Sequence, residues 1–397
     1  MVLKPKRVLH IIPGYGGGIS STVRNLVSSI DSSKVQIDVV GFTTYSDDFY
    51  REITAKGGRV FTLRNVRIKT LYKCVIEYQK LLLKHGPYDV IHIHMYGYKA
   101  MYFSLISRLC GVNRIIVHAH IAASRGSDFW YNKPKMNISR LITRLAADQY
   151  VSCSRIATAY VFGGGALKRS KVMHIPNSVN VEKFAQNIST SEVKTIKQEL
   201  DITDVDLVIG HIGQFGYQKN HDFMVKIIKR MKERNISFKW LFIGVGNERT
   251  RIEQDINNNQ CEDVTLFLGR REDVHKLLQV MSVTVLPSHF EGLPTVTVET
   301  QVAGIPTVIS TNVTNEVDMG IGLVKVLDLK ESLDTWIDAI LEMSKVRYLD
   351  RTKLINMIHQ RGFTTEAASK LYECYIWNEI KNYNLGDELD RELLSIY

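Results

Sequence analysis

Short apolar runs alternate with amphipathic stretches along nearly the whole chain. Each run has the length of a buried strand, and the stretches between the runs repeat apolar residues at the three- and four-residue spacing of helices. Unbroken apolar strands are typical of parallel sheets, because helices cover such sheets on both faces. The predicted strands are residues 7–12, 35–42, 59–63, 88–94, 113–120, 149–153 and 171–175, followed by 206–213, 238–244, 264–269, 282–287, 305–310 and 322–327.

The alternation runs through two cycles and restarts after Asn187. A chain of 397 residues is long enough for two domains of ordinary size. The pattern therefore predicts an α/β protein with two doubly wound domains, each with a parallel sheet between layers of helices. Ligands of such sheets bind at the carboxyl ends of the strands. The main predicted helices are residues 19–30, 69–84, 99–110, 136–147, 219–234, 247–258, 271–280 and 294–303.

The composition is that of a globular protein, with 45% hydrophobic and 23% charged residues. No stretch of the sequence matches the roughly 20 apolar residues of a membrane span. The apolar residues 8–12 are too few for a secretory signal and are expected to form a buried strand. The cysteines are scattered without a C-x-x-C pair, which favours reduced thiols in a cytoplasmic protein.

Charge is divided unevenly along the chain. Residues 1–190 contain 27 Lys and Arg against 10 Asp and Glu, whereas the remainder contains 24 against 31. We expect the basic part to face an anionic partner: nucleic acid, an acidic membrane surface or a phosphorylated substrate. No recognised nucleic-acid-binding motif is present in the sequence, so we expect no nucleic-acid partner. A generally basic, solvated surface is the alternative.

A glycine-rich turn joins the first predicted strand to the first predicted helix. Residues 13–20 read PGYGGGIS, so Ile19 stands where a dinucleotide fingerprint starting at Gly14 needs a glycine, and no Walker sequence occurs. These observations disfavour nicotinamide chemistry and exclude a Walker loop. Consecutive glycines before a helix still allow backbone N–H groups to approach an anion. A tight turn alone is the alternative.

Four histidines end two successive predicted strands, His92 and His94 on one and His118 and His120 on the next. Alternation places both members of each pair on one face of the sheet. No H-E-x-x-H pattern occurs, and no cysteine or carboxylate stands at ligand spacing on these strands. We interpret the histidines as core residues without a metal. His120, the last before a loop, is the one placed to reach a ligand.

Two polar sequences in the second half also follow predicted strands. Gly213–Asn220 brings Lys219 beside a glycine loop, a combination that suits a diphosphate. Glu291 stands in a loop before a predicted helix, and Glu299 lies about one turn inside that helix. Carboxylates accept hydrogen bonds from hydroxyls, so the pair fits the two sugar rings of a sugar nucleotide. Two surface glutamates beside a helix start are the alternative.

With these sequences in place, the chain resembles the family-4 retaining glycosyltransferases of GT-B fold, especially members that build bacterial exopolysaccharide and capsule. The likeness covers essentially the whole chain. It rests on the E-x7-E element of residues 291–299 and Ala303–Pro306 after it, on Ile175–Asn180 and Gly213–Asn220, and on Arg361–Phe363 before an aromatic-rich helix. The resemblance implies two Rossmann-like domains that face each other across a cleft, and transfer of a sugar with retention.

The resemblance also implies a different role for each of three parts of the chain. Residues 1–187 would form the acceptor-binding domain, residues 188–375 the donor-binding domain, and residues 376–397 a helix that packs back on the first domain. The donor would be a nucleotide sugar, with a UDP-sugar expected. The acceptor would be a glycan or a sugar linked to a lipid diphosphate.

By the same resemblance, Glu291 would bind hydroxyls of the donor sugar and His120 would contact the sugar near its reacting carbon. Lys219 would pair with the diphosphate and stabilise the charge that develops on the leaving group. Glu299 would hold the ribose. The other donor contacts would come from Gly17, Gly18, Gly213, Gln214, Arg271, Leu293, Pro294 and Thr295.

Two positions depart from the family pattern. Gln214 stands in place of an arginine that would supply a second diphosphate cation, and Pro294 replaces a common glycine and has no N–H. Both departures affect the identity of the donor more than the reaction type. The resemblance implies no metal and no cofactor. The one Asp-x-Asp match, Asp204 to Asp206, lies where a strand begins, at the wrong end for a ligand.

Two alternatives stay open. A sugar-nucleotide 2-epimerase has the same architecture but lacks the context of the E-x7-E element. A non-catalytic sugar-nucleotide-binding subunit would be consistent with the missing arginine at Gln214.

The basic first domain also predicts peripheral, salt-reversible attachment to the anionic inner face of the cell membrane. The segment 64–84 combines an apolar stripe with lysines, as an amphipathic helix does. An ordinary helix with a core face accounts for the stripe but not for the charge of the whole domain. The stripe comprises Leu71, Val75, Tyr78 and Leu82, and the lysines are Lys69, Lys73, Lys80 and Lys84.

Overall fold

The chain folds into two compact α/β units. The computed structural model describes residues 4–15, 18–64, 71–122, 133–168, 172–203, 205–347 and 350–380. Unit 1 comprises Met1–Val179 and Ile358–Tyr397, and unit 2 comprises Asn180–Met357. Both joins lie earlier in the chain than the sequence boundaries after residues 187 and 375. No helix in the described ranges is both long enough and apolar enough to cross a membrane.

Unit 1 is built around a parallel sheet of seven strands, in the order β3-β2-β1-β4-β5-β6-β7. The order reverses between β1 and β4, so the loops after these two strands lie at the switch point where ligands bind. The strands are β1 Lys6–Ile11, β2 Val35–Gly41, β3 Val60–Thr62, β4 Val90–Ile93, β5 Ile115–Ala119, β6 Gln149–Ser152 and β7 Val172–His174. The helices before the exit from unit 1 are α1 Gly18–Ser29, α2 Asp47–Ala55, α3 Leu71–His85, α4 Tyr98–Leu109, α5 Lys133–Ala146, α6 Arg155–Val161 and α7 Gly164–Lys168.

Unit 2 repeats the design with six parallel strands, in the order β10-β9-β8-β11-β12-β13. Here the order reverses between β8 and β11. The strands are β8 Val208–Ile212, β9 Lys239–Ile243, β10 Thr265–Gly269, β11 Val283–Leu286, β12 Thr307–Ser310 and β13 Val324–Leu327. The helices are α8 Val181–Phe184, α9 Thr190–Glu199, α10 His221–Glu233, α11 Arg249–Asn258, α12 Val274–Leu278, α13 Thr295–Val302 and α14 Leu333–Met343.

The chain then returns to unit 1 through α15 Arg351–Gln360 and α16 Thr365–Ile376. The Val179 N–H donates to the Phe363 carbonyl at 2.8 Å, so the points of exit and return lie side by side. Thr364 caps α16 by accepting from the Ala367 N–H. Helix α16 packs against α1, and its buried face, which includes Tyr372, joins the main core of unit 1. Both predicted parallel sheets are therefore present, and the fold prediction is confirmed.

Candidate active site

The loops after β8 and β11 meet where the strand order of unit 2 reverses. They comprise residues 213–220 and 287–294. Asn220 adopts a left-handed conformation (φ 57°) and donates from Nδ2 to the Pro287 carbonyl at 3.0 Å. The His289 N–H donates to the Gln218 carbonyl at 2.8 Å. These bonds join the two loops into one rigid surface at the carboxyl ends of the strands.

Glu291 is the centre of a polar cluster on this surface. Its Oε1 accepts from Lys219 Nζ at 2.7 Å and from Ser288 Oγ at 2.8 Å, and its Oε2 accepts from Gln218 Nε2 at 2.9 Å. The side chains of Lys219 and Glu291 are only 14% and 6% exposed. A charge buried to this extent is tolerated only when it is paired and hydrogen-bonded. The structure thus brings two predicted site residues into direct contact.

Two glycines lie close to this pair. A Cβ at Gly213 would stand 2.9 Å from Cε of Lys219 and 3.1 Å from Nε2 of His211. Gly244, which follows β9, has a φ of 145°, and the Gly213 carbonyl occupies the place of its missing Cβ. The backbone after β9 can approach the lysine loop only because Gly244 lacks a side chain. The sequence analysis named Gly213 but missed Gly244. The feature that could have indicated Gly244 is its position at the end of a predicted strand.

Glu299 lies one turn inside α13, as predicted. Burial raises its pKa to about 7, although the Thr295 hydroxyl and the charges of Lys183 and Lys219 act in the opposite direction. Lys183 is on α8, which packs against α13, and its Nζ donates to the Glu272 carbonyl at 3.2 Å. Lys183 is therefore a cation whose charge acts on Glu299, as that of Lys219 does. The sequence did not indicate Lys183, because it is one lysine in a helix of four residues.

The other predicted donor residues of unit 2 surround this cluster. Gln214 is exposed in the lysine loop, and Leu293 is buried in the glutamate loop. Pro294 is the N-cap of α13, one position before the first helical turn in which it was expected, and Thr295 is the first helical residue. The guanidinium of Arg271 donates to the Asp273 carboxylate at 2.8 and 2.6 Å, so that side chain is held by its own loop.

Comparison with known proteins identifies the family. A family model described as Glycosyltransferase Family 4 matches residues 16–183, and one described as Glycosyl transferases group 1 matches residues 192–321. EpsF of Bacillus subtilis (strain 168), named as a glycosyltransferase, is 31% identical over 96% of this chain and 98% of its own length. The chain belongs to the group 1, family-4 glycosyltransferases.

Other relatives agree with this assignment. An Escherichia coli protein named UDP-Gal:alpha-D-GlcNAc-diphosphoundecaprenol alpha-1,3-galactosyltransferase is 27% identical over 84% of this chain and 86% of its own. Among solved structures, HepE of Anabaena with UDP-glucose matches 94% of this chain and 100% of its own at a TM-score of 0.74 and 16% identity. WaaG, a glycosyltransferase involved in lipopolysaccharide biosynthesis, matches at a TM-score of 0.65 and 12% identity. These structures show that the glycosyltransferase has the GT-B fold.

In unit 1 of the glycosyltransferase, His120 follows β5 and is partly buried. Burial lowers its pKa to about 4, whereas the Asn177 side chain acts in the opposite direction. The Oδ1 of Asn177 accepts from the Thr22 hydroxyl at 3.1 Å. Gly18 is the first residue of α1, and the predicted contact Gly17 lies outside the described residues. Asn177 was quoted in the sequence only as part of the join, so its place beside His120 is a new observation.

Five histidines of the glycosyltransferase gather on one face of the unit 1 sheet. Two sets of three have ring nitrogens within 4.8 Å of one another: His10, His92 and His94, and His94, His118 and His120. Three neutral imidazoles are a possible donor set for a zinc-type metal. In this structure, however, most of their ring nitrogens are hydrogen-bonded to one another or to Tyr372. The expectation that each histidine pair shares one face of the sheet agrees with this arrangement.

Three helices of unit 1 also present apolar side chains to solvent. Helix α4 packs against α3 and α5, so these exposed apolar side chains lie on neighbouring helices. Together they are here called the α3–α5 face. Tyr78 and Leu82 of the predicted stripe are buried, so that stripe faces the core. The residues of the α3–α5 face, between 47% and 85% exposed, are Tyr72, Ile76, Leu83, Tyr98, Leu105, Leu109, Ile138, Leu141 and Leu145.

Proposed function

We propose that this protein transfers a sugar from a nucleotide sugar to an acceptor hydroxyl with retention of configuration at the sugar carbon. The observation that carries the proposal is the buried contact between Lys219 and Glu291 at the switch point of unit 2. One site thereby contains a cation that suits a diphosphate and a carboxylate that suits hydroxyls. The UDP-Gal in the name of the Escherichia coli relative and the UDP-glucose bound to HepE support a UDP-sugar as donor.

In the proposed reaction, Lys219 turns from Glu291 to the diphosphate when the donor binds, and Glu291 then accepts hydrogen bonds from the sugar. The bond between the sugar carbon and the diphosphate oxygen breaks, and Lys219 stabilises the charge that develops on that oxygen. The acceptor oxygen forms its bond on the same face of the sugar, and its proton passes to the departing diphosphate. Glu299 holds the ribose, and Lys183 supplies the second cation that Gln214 does not provide. No side-chain nucleophile and no metal enter the proposal.

The test is turnover with a panel of UDP-, GDP- and ADP-sugars, with and without lipid-diphosphate-linked sugar acceptors. We expect a UDP-sugar to raise the melting temperature most, and nucleoside diphosphate to be released only when acceptor is present. NMR of the product gives the anomeric configuration. A 2-epimerase would change the sugar nucleotide without acceptor. A non-catalytic subunit would bind the donor without transferring or hydrolysing it.

We further propose that the acceptor is linked to a lipid diphosphate, in the synthesis of exopolysaccharide or capsule, and that unit 1 attaches peripherally to the inner face of the membrane. The diphosphoundecaprenol in the name of the Escherichia coli relative supports the lipid acceptor. The α3–α5 face supports the attachment, because cations accompany its apolar side chains and Glu77 is the one acidic residue of these helices. The cations are Lys73, Lys80, Lys84, Lys99, Arg108, Lys133, Lys135, Arg140 and Arg144.

Sedimentation with phosphatidylcholine vesicles, with and without phosphatidylglycerol, tests the attachment at low and high salt. We expect binding to the anionic vesicles, weakened by salt and by Leu105→Ser with Leu109→Ser. Replacing Lys73, Lys80 and Lys84 by Gln should also weaken binding, at about 1 kcal/mol per lysine near the surface. The exposed lysines Lys226 and Lys229 of α10 in unit 2 are the matched control. Equal binding to both vesicle types, or to neither, would favour a soluble acceptor.

A further inference from the structure

The Glu291 carboxylate has two neutral hydrogen-bond donors besides Lys219. Ser288 Oγ donates to Oε1 at 2.8 Å, and Gln218 Nε2 donates to Oε2 at 2.9 Å. The lysine ammonium shares Oε1 with the serine hydroxyl. The sequence did not indicate Ser288 or Gln218 as site residues, and the sugar transfer described above assigns a role to neither.

Each of these two donors is fixed through its own backbone. The Ser288 carbonyl accepts from Ser310 Oγ at 2.6 Å, and Ser310 is the last residue of β12. The Gln218 carbonyl accepts from the His289 N–H at 2.8 Å, so its backbone is held by the loop that carries the glutamate. Ser288 is also fully buried, so water does not compete for its hydroxyl. Both side chains are therefore held where they reach Glu291.

The bonds leave a defined number of acceptor positions on the carboxylate. Its two oxygens can accept about four hydrogen bonds in all. Lys219 and Ser288 fill both positions of Oε1, whereas among the described residues Gln218 fills one of the two on Oε2. Once Lys219 turns to the diphosphate, each oxygen keeps one neutral donor and has one position open. Two neighbouring hydroxyls of a sugar can fill these two positions together.

The two neutral donors also keep Glu291 satisfied while the lysine is bound elsewhere. The Glu291 side chain is 6% exposed, and a buried charge without a partner is strongly destabilised. Hydrogen bonds to a charged group contribute more than those between neutral groups. Ser288 and Gln218 therefore stabilise the carboxylate and fix its plane when Lys219 leaves it.

We propose that Gln218 and Ser288 are positioning residues, which hold one oxygen of Glu291 each and so orient the carboxylate toward two neighbouring hydroxyls of the donor sugar. The hydroxyl part rests on the proposed sugar transfer. Gln218 and Ser288 act through Glu291 and do not need to touch the sugar themselves. A sugar that lacks one of the two hydroxyls would leave an acceptor position of the buried carboxylate unfilled, so the arrangement selects for the pair.

The first test needs no ligand, because Lys219→Met imitates the departure of the lysine. At pH 8, we expect Gln218→Met to lower the midpoint of urea unfolding more in the Lys219→Met background than in the otherwise unchanged protein. In the Glu291→Leu background, we expect Gln218→Met to cause no further shift. Gln198→Met, on the exposed face of α9 in the same unit, is the matched control. Equal shifts by Gln218→Met in all three backgrounds would overturn its positioning role.

The second test separates the sugar from the rest of the donor. Calorimetry compares the affinities for UDP-glucose and UDP-galactose with that for UDP, in Ser288→Thr and in Ser288→Val. These variants have the same shape, and only Ser288→Thr keeps the hydroxyl. We expect Ser288→Val, like Gln218→Met, to lower the ratio of UDP-sugar affinity to UDP affinity about ten-fold, the scale of one hydrogen bond to a charged group. Ser288→Thr should keep the ratio, and the affinity for UDP should not change.

The two tests can fail separately. A ratio that falls equally in Ser288→Thr and Ser288→Val would overturn the positioning role of Ser288, because packing and not the hydroxyl would then govern the site. An unchanged ratio in Gln218→Met would overturn the role of Gln218 toward the sugar. If both UDP-sugars bind no better than UDP while the urea shifts differ as expected, the positioning of Glu291 stands and its use on a donor sugar is rejected. Both expected results in a protein that transfers no sugar would retain this proposal and reject the transfer.

Discussion

The Lys219 ammonium lies 2.7 Å from Oε1 of Glu291, although the two residues stand on loops that follow different strands. In the structure, each charge neutralises the other. Because both side chains are largely buried, a ligand that separates them must offer new partners to both. A molecule with a diphosphate beside vicinal hydroxyls does so, whereas inorganic phosphate satisfies only the lysine.

Glu291→Gln should reduce sugar transfer at least ten-fold, which corresponds to about 1.4 kcal/mol of activation free energy. The amide keeps the shape of the carboxylate but weakens its bonds to donor hydroxyls. Lys219→Met should lower kcat by a similar factor, because the leaving group loses its cation. Steady-state kinetics checks both, with the exposed Glu262→Gln as control. Wild-type turnover in Glu291→Gln would contradict the assigned donor site.

The effects of Glu291→Gln and Lys219→Met on the free energy of unfolding should not be additive. Each alone leaves a buried charge without its partner, at a cost of about 3 kcal/mol, whereas the double variant leaves none. The double variant should therefore be at least ~1 kcal/mol more stable than the sum of the two single effects predicts. Urea unfolding of the four proteins measures this coupling. Additive effects would mean that the pair contributes nothing beyond its separate side chains.

Glu299→Gln should stabilise the fold at pH 8 but not at pH 4. The pKa of this carboxyl is raised to about 7 in the folded protein, so the folded state holds a proton that the unfolded state releases. Stability is therefore lost as pH rises from about 4.5 to 7, and the amide avoids that loss, by up to about 3 kcal/mol at pH 8. Nucleotide binding should weaken in the same variant. An equal gain at both pH values would contradict the raised pKa.

Gly213→Ala should displace the Lys219 side chain, because its Cβ would stand 2.9 Å from Cε of Lys219. We expect a loss of about 1–3 kcal/mol in stability and a lower kcat. Gly216→Ala in the same loop is the matched control, since no atom lies within 4 Å of that Cβ and the backbone is extended there (φ −167°). Similar effects of both substitutions would indicate a general need for loop flexibility.

Acid should destabilise unit 1 through its buried histidines. The folded protein keeps His10 neutral down to about pH 3 and His120 to about pH 4, whereas the unfolded chain takes up these protons near pH 6.5. The contribution of these histidines to the free energy of unfolding should be constant above pH 6.5 and fall below it, by up to ~1.4 kcal/mol per pH for each histidine, whereas Glu299 acts in the opposite direction between pH 4.5 and 7. Urea titrations from pH 8 to 4.5 measure the slope. His118→Gln should make the slope of the free energy of unfolding against pH shallower, because the unfolded chain then takes up one proton fewer. An unchanged slope would contradict the prediction.

Much of the fold follows from the sequence because its strands are unbroken runs of buried residues. Each predicted strand is present, and each predicted helix has a counterpart, although residues 271–280 form only the five-residue α12. Helices α9 and α14 were not among the main predicted helices. The short helices α7 and α8 did not show in the pattern, because five and four residues are too few for a helical repeat to register. Helix α4 has apolar residues on more than one side, so the pattern could not indicate that Leu105 and Leu109 would be exposed.

The site was predictable residue by residue but not as an arrangement. Glu291 and Lys219 were each indicated by their place after a strand, but their contact joins positions 72 residues apart. The sequence analysis identified the four histidines at strand ends. It did not single out His10, which is one polar residue within an apolar run. Tyr372 lies 362 residues from His10 in the chain, so only the fold brings its hydroxyl to that ring.

The adjacency of Val179 and Phe363 has a consequence for the order in which the protein is made. Unit 2 lies between these residues in the chain, so a ribosome completes it before it releases α16. At ordinary rates of translation, roughly 10–40 s separate the emergence of Val179 from that of Ile376. During that interval the nascent unit 1 lacks the Tyr372 hydroxyl and the packing of α16 on α1, whereas the last residue of unit 2, Met357, emerges before α16 does. The part of the protein that is synthesised first is therefore the last to complete its core.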